Sequence, residues 1–206
     1  MSVGFGGNAV FNRASPSSHP RCIARIVADY IATAGYSPVR ILDVGGTAGA
    51  FQQHAPQLPA GTQVIVANPE SGSGAQYRFV ADIPLTEPAF DFAMMFGVMM
   101  YLDDNDLRQL MRDVRQRLRG HATFLIAEPD PEGIVGRIEV MAKRVYAAIR
   151  SAWDPTKFHF HTRAEAEKFL KEAGFINVLS RPDLTPNAMG VLPPPMPPYF
   201  VVAASI

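Results

Sequence analysis

Cysteine is nearly missing: Cys22 is the only one in 206 residues. That excludes an internal disulfide framework and a four-cysteine zinc site, and it fits a reducing compartment, so a cytoplasmic protein is expected. An excess of charge is missing as well, since 19 Lys+Arg balance 19 Asp+Glu. A general nucleic-acid binder, which gains affinity by neutralising phosphates, is therefore not expected. The longest apolar run, Phe92 to Leu102, has 11 residues, against the ~20 of a membrane-spanning helix. Met1 to Gly7 has neither a basic region nor an apolar one, so no secretory signal and no membrane partner are expected.

What is present is a hydrophobic fraction of 48%, enough to bury one core without a disulfide or structural metal. A single domain over residues 1–206 follows. The charge is unevenly spread: +3 over residues 1–40, −7 over 41–106 and +4 over 107–206.

Short apolar runs bounded by Gly, Pro or Asp read as buried strands at Val39 to Leu42, Val64 to Ala67, Tyr77 to Ala81, Phe92 to Phe96 and Thr123 to Ala127. Ile176 to Ser180 and Tyr199 to Ala203, joined by a proline-rich loop, read as a terminal antiparallel hairpin. Helical spacing of apolar residues marks Cys22 to Ala34, Asp106 to Leu118 and Ala164 to Ala173. Thr162 and Glu165 form a capping box for the last of these, and Gly174 stops it. Strands alternating with helices imply an α/β fold: a Rossmann-like, doubly wound, mostly parallel sheet of seven strands with a C-terminal hairpin. Residues 1–38 would form a helical cap, and 129–160 an insert. Ligands of such sheets sit at the carboxyl ends of the strands.

The first strand runs into Asp43-Val44-Gly45-Gly46-Thr47-Ala48-Gly49. Glycines there let backbone amides approach a ligand closely. The pattern departs from the dinucleotide fingerprint at Thr47 and beyond Gly49. Asp43, ahead of the glycines, would repel a diphosphate and attract an ammonium group.

With these residues the chain resembles the class I S-adenosylmethionine-dependent methyltransferases, in particular the small-molecule, ubiquinone-biosynthesis-like type. The ordered pieces are Ile41 to Gly49, Val64 to Asn68, Val80 to Pro84, Phe90 to Leu102 and Phe158 to Phe175. The resemblance implies S-adenosylmethionine as cofactor and methyl transfer to an oxygen or nitrogen of a small organic acceptor. It further implies that Asp43, Gly45, Gly46, Thr47 and Gly49 hold the methionine end, and Asn68 with Glu70 the ribose. Asp82 with Ile83 would hold the adenine, and Phe96, Gly97 and Tyr101 would line the sulfonium side. The acceptor pocket is assigned to Glu128, Tyr146, Trp153 and His161. The departures are Thr47 for a glycine, Asn68 for the ribose acid, and a Ser/Gly/Pro turn at 69–74 where a crossover helix is usual. They keep two alternatives open: a scaffold of the same fold without turnover, and an enzyme using the cofactor for a non-methylating reaction.

His159 and His161 alternate with Phe158 and Phe160, so an extended segment points both imidazoles one way. No third ligand at metal spacing accompanies them, so no metal is expected and His159 is the candidate base. Met94, Met95, Met99 and Met100 read as core filling. Arg108, Arg112, Arg115 and Arg119 form a helical stripe that reads as a solvated face. The prolines of 193–198 read as a stiff loop at the pocket mouth.

Overall fold

The computed structural model describes residues 19–35, 39–150, 158–185 and 199–206. Trp153 and the proline run of 193–198 lie outside these residues. Six strands form one sheet: β1 (Arg40–Val44), β2 (Gln63–Ala67), β3 (Phe90–Phe96), β4 (Leu118–Pro129), β5 (Asn177–Ser180) and β6 (Tyr199–Ser205). Their order is β2-β1-β3-β4-β6-β5. The first four are mutually parallel, and β6 runs antiparallel to both β4 and β5. The expected C-terminal hairpin is matched in part: β5 and β6 pair antiparallel, with β5 starting at Asn177 and β6 running on to Ser205, and the loop that joins them lies largely outside the described residues.

The expected strand at Tyr77 to Ala81 does not form, so the sheet has six strands and not seven. Tyr77 makes a single parallel bridge to Ala67, and the chain then turns into a 3-10 helix at Val80–Asp82. The cause is the short connection. A parallel crossover needs about a dozen residues or more, and the turn at 68–76 falls short, so one bridge is all that the geometry allows. The backbone is still satisfied there, because Gln76 N and Tyr77 N donate to Val66 O and Asn68 N donates to Tyr77 O.

Among the described residues there are four α-helices, α1 (His19–Ala34), α2 (Asp104–Arg117), α3 (Ile134–Arg150) and α4 (Arg163–Glu172), of which α1, α2 and α4 cover the sheet while α3 enters neither core layer. Strand residues alternate between two apolar layers. Ile41, Phe92, Met94, Leu125 and Val201 face Ala24, Val27 and Ile31 of α1. Leu42, Ala93, Met95, Phe124, Ile126 and Val202 face Leu107, Met111 and Val114 of α2 and Ala166, Phe169 and Leu170 of α4. Met94, Met95 and Met99 are buried in these layers as core filling, while Met100, also buried, lies outside both layers.

Helix α2 begins earlier than its apolar spacing suggests because Asp103 caps it, its Oδ1 accepting from Asn105 N and Asp106 N at 2.9 Å. Acids in the first turn and Arg115 and Arg117 in the last complement the helix dipole. Thr162 and Glu165 make the expected capping box of α4, and Gly174 ends the helix region at φ 94°. Arg108, Arg115 and Arg119 of the expected stripe brace neighbouring segments, whereas Arg112 is exposed and donates to Gln109 of its own helix. Arg108 pairs with Glu172 of α4 at 3.0 Å and stacks over Phe169, while Arg119, just past the helix, pairs with Asp91 at 2.8 Å.

Candidate functional site

The strand order reverses between β1 and β3: β2 lies on one side of β1, whereas β4 lies beyond β3. The carboxyl ends of β1 and β3 therefore open a crevice, where ligands of doubly wound sheets bind. The loop after β1 and the turn after β3 meet across it. A Cβ added to Gly45 would fall 2.4 Å from Val98 Cγ2, and Gly45 itself is at φ 78°. Only glycine fits both requirements.

Asp43 is the penultimate residue of β1 and is 4% exposed. Among the described residues no hydrogen bond or ion pair reaches its carboxylate. Burial pushes its pKa up to about 7. The carboxylate lies against the backbone of the glycine loop: a Cβ on Gly46 would come 1.8 Å from Asp43 Oδ2. The loop does not feed an α-helix. The chain goes on into a 3-10 helix at Gln52–Gln57, interrupted by Pro56, so Asp43 is not a helix cap. Thr47 and Gly49 are exposed at the outer edge of the loop.

Asn68, buried at the end of β2, braces this loop. Its Nδ2 donates to Gly45 O at 2.9 Å and Gly46 O at 2.7 Å, and its Oδ1 accepts from Glu70 N at 2.8 Å. Ala48 N donates to Ser73 O at 2.9 Å, and Gly45 N to Ala67 O at 2.8 Å. The short turn that replaces a crossover helix thus pins the glycine loop from one side. Its sequence signal is the Asn-Pro and Ser-Gly-Ser pattern, which marks a turn without revealing what the turn holds. Ser73 and Val98 are the residues of this region that sequence reasoning missed.

Asp82 is exposed and closes its own turn, accepting from Phe79 N at 2.9 Å. Ile83 is 1% exposed within the α2 layer, so it offers no open apolar surface to a ligand.

Across the crevice, Phe96 is half-buried, and Gly97 takes φ 65° as β3 turns into the 3-10 helix Met99–Tyr101. Glu128, buried near the end of β4, holds that turn: its Oε1 accepts from Val98 N at 2.7 Å and Met99 N at 2.9 Å. Tyr101 packs at 5.7 Å from the Phe158 ring. Its hydroxyl pKa is raised, first by burial and then by the carboxylates of Glu128 and Glu70.

His159 N donates to Met100 O at 2.8 Å, fixing the Phe158 to His161 segment beside the turn. His159, His161 and Glu128 share a small recess with Met99, Met100, Pro129 and Phe160. His161 is buried, with Nε2 3.0 Å from Leu102 O and its ring edge-on to Phe169. These contacts anchor the ring to α4 and the post-β3 segment. Phe160 also borders an open cleft of about 560 Å³ between this segment and α3, lined by Pro131, Glu132, Arg137, Val140, Met141 and Thr162. Tyr146 lies on α3, and its side chain is outside what the structure describes. Among the described residues no group of three or more His, Cys, Asp or Glu could hold a metal ion.

No protein-family model and no curated protein sequence matches the chain. Solved structures do. The chain is similar to an S-adenosylmethionine-dependent methyltransferase from Archaeoglobus fulgidus at TM-score 0.64 and 14% identity, over 96% of this chain and 98% of that one. It is similar to magnesium protoporphyrin IX methyltransferase from Synechocystis, solved with S-adenosylhomocysteine, at TM-score 0.61 and 11% identity, over 90% of this chain and 82% of that one. Human N-acetylserotonin methyltransferase, solved with S-adenosylmethionine, aligns at TM-score 0.59 and 15% identity, over 90% of this chain and 51% of that one. At such identities the likeness defines the fold: a mixed α/β sheet of the Rossmann-like methyltransferase class.

Proposed function

We propose that this protein binds S-adenosylmethionine and transfers its methyl group to an oxygen or nitrogen of a small organic acceptor. The observation that carries the reading is Asp43, a buried carboxylate without a partner among the described residues, set at the sheet's switch point against a glycine loop. A bare buried carboxylate is costly. A cationic ligand would relieve that cost, and the amino-acid end of this cofactor brings an ammonium group.

The residues fit such a guest. Gly45, Gly46, Thr47 and Gly49 offer the methionine end a backbone without Cβ obstruction at three of four positions. Asn68 commits its amide group to the loop, so the ribose hydroxyls fall chiefly to Glu70. Asp82 would serve the adenine amino group, with Ile83 as filling behind it. Phe96, Gly97 and Tyr101 would line the sulfonium side. The cofactor supplies an already activated methyl group, so the protein's work is alignment and exclusion of water. Glu128 would position the turn bearing Tyr101, and His159, in the recess beside Glu128, would accept a proton from the acceptor. His161 would position that segment, while the cleft bordered by α3, which carries Tyr146, is the natural berth for the acceptor. The narrower assignment to the small-molecule, ubiquinone-biosynthesis-like type rests on the sequence pieces alone.

Titration calorimetry with S-adenosylmethionine tests the first step. Binding that weakens at least about tenfold in Asp43→Ala is expected. No heat at millimolar cofactor would favour a scaffold without turnover. Mass spectrometry then separates methyl transfer from a non-methylating reaction, since only the former adds one methyl mass to an acceptor while releasing S-adenosylhomocysteine.

A further inference from the structure

Helix α3 carries an apolar face that the described residues leave uncovered. Ile134, Ile138, Met141 and Val145, at i, i+4, i+7 and i+11, fall on one strip of the helix. They are 54% to 79% exposed, and Val135 beside them is 44% exposed. The opposite side faces the protein. Gly136 is packed so closely that a Cβ there would meet Asp130 O at 1.8 Å, and Val140 is half-buried at the cleft. Met141, at the edge of the strip, also lines that cleft, whereas Ile134, Ile138 and Val145 lie outside its lining.

The charge of this helix says what would cover the strip. In a chain of formal net charge zero, the α3 sequence has Arg137, Lys143, Arg144 and Arg150 against Glu139. Helical spacing sets Arg137 and Arg144 along one flank of the strip and Lys143 and Arg150 on the far side, so the strip with its basic flank matches an anionic lipid surface, the apolar residues entering the acyl boundary and Arg137 meeting headgroups. A second copy of the chain fits less well, because a two-fold contact through α3 would bring two net-positive helices together.

We propose that α3 docks this protein onto the surface of anionic membranes, lying in the plane of the interface. Among the described residues no helix is long and apolar enough to cross a membrane. Docking at the surface needs no spanning segment, and it departs from the sequence expectation that no membrane partner exists. The proposal is independent of the methyltransferase reading, because binding is measured without cofactor or turnover.

The test is co-sedimentation of the full chain with vesicles of phosphatidylcholine alone or with added phosphatidylserine. At low salt, binding to the anionic vesicles should exceed that to the neutral ones at least about tenfold, and should fall as salt rises. Ile138→Glu with Val145→Glu should lower it at least about tenfold, and Arg137→Gln about fivefold. Ile138→Ser with Val145→Ser keeps the test valid should the Glu pair fail to fold, with melting temperature as the control. Absent binding, equal binding to both vesicle types, or binding indifferent to the substitutions would overturn the proposal. So would self-association of the free protein that the same substitutions abolish, which would assign the strip to a second copy.

Discussion

Two buried carboxylates stand at the ends of parallel strands of one sheet and live under opposite conditions. Glu128 on β4, 3% exposed, accepts from two backbone amides of the turn after β3. Asp43 on β1, 4% exposed, has no partner among the described residues and is pushed up to about 7. Equal burial therefore means different things. A carboxylate tied to amides builds the fold, whereas one left bare weakens the fold and keeps its interaction free for a ligand. The β4 end is rigid machinery for a turn, and the β1 end is a prepared counter-ion site.

The largest expected effect concerns the pH dependence of the apo protein. Since Asp43 has a folded pKa above its unfolded value, the folded state holds its proton longer. Stability should therefore fall as pH rises from the ordinary value of 3.8 to about 7, and then level off. The difference is at most about 4 kcal/mol. Asp43→Asn should flatten that part of the curve in denaturant titrations and raise apo stability at pH 8. An unchanged curve would mean that Asp43 has a hidden partner.

Glu128→Ala should cost about 3 kcal/mol by leaving Val98 N and Met99 N unsatisfied. Glu128→Gln, which keeps an acceptor, should cost about 1 kcal/mol, as read from urea midpoints. If both variants cost the same, the amide contacts are not what Glu128 contributes. Smaller again is the coupling of cofactor to protons. S-adenosylmethionine affinity should drop below about pH 7 by up to about tenfold per unit in the native protein, and not in Asp43→Asn, because the proton and the ammonium compete for one carboxylate. Least is Arg108→Ala: its struts to α4 are partly solvated, so a loss of about 0.5 to 1 kcal/mol is expected in thermal melts.

Much of the glycine-loop half was legible along the chain. The apolar run of β1, the acid at Asp43 and the glycines after it are consecutive, so local spacing predicts both the strand and the turn that follows. The capping box at Thr162 and Glu165 is equally local. The expected strand at Tyr77 to Ala81 failed for a reason that local pattern does not encode: whether an apolar run pairs depends on how far the preceding connection lets it travel. Asn68 shows the same limit. Its residue type fits a ribose contact, a turn or a brace, and the choice came from the nearness of Gly45 O and Gly46 O, more than twenty residues earlier.

The amino-acid sequence by itself determined the α/β class, a mostly parallel sheet and the placing of an acid ahead of a glycine turn, because periodicity and turn chemistry act over a few residues. Which buried carboxylate is bonded and which is bare, which arginines brace α4, and which face of α3 is left uncovered were decided by the tertiary structure alone. Those properties depend on what other segments bring alongside, and solvent exclusion arises only when distant parts of the chain close around a group.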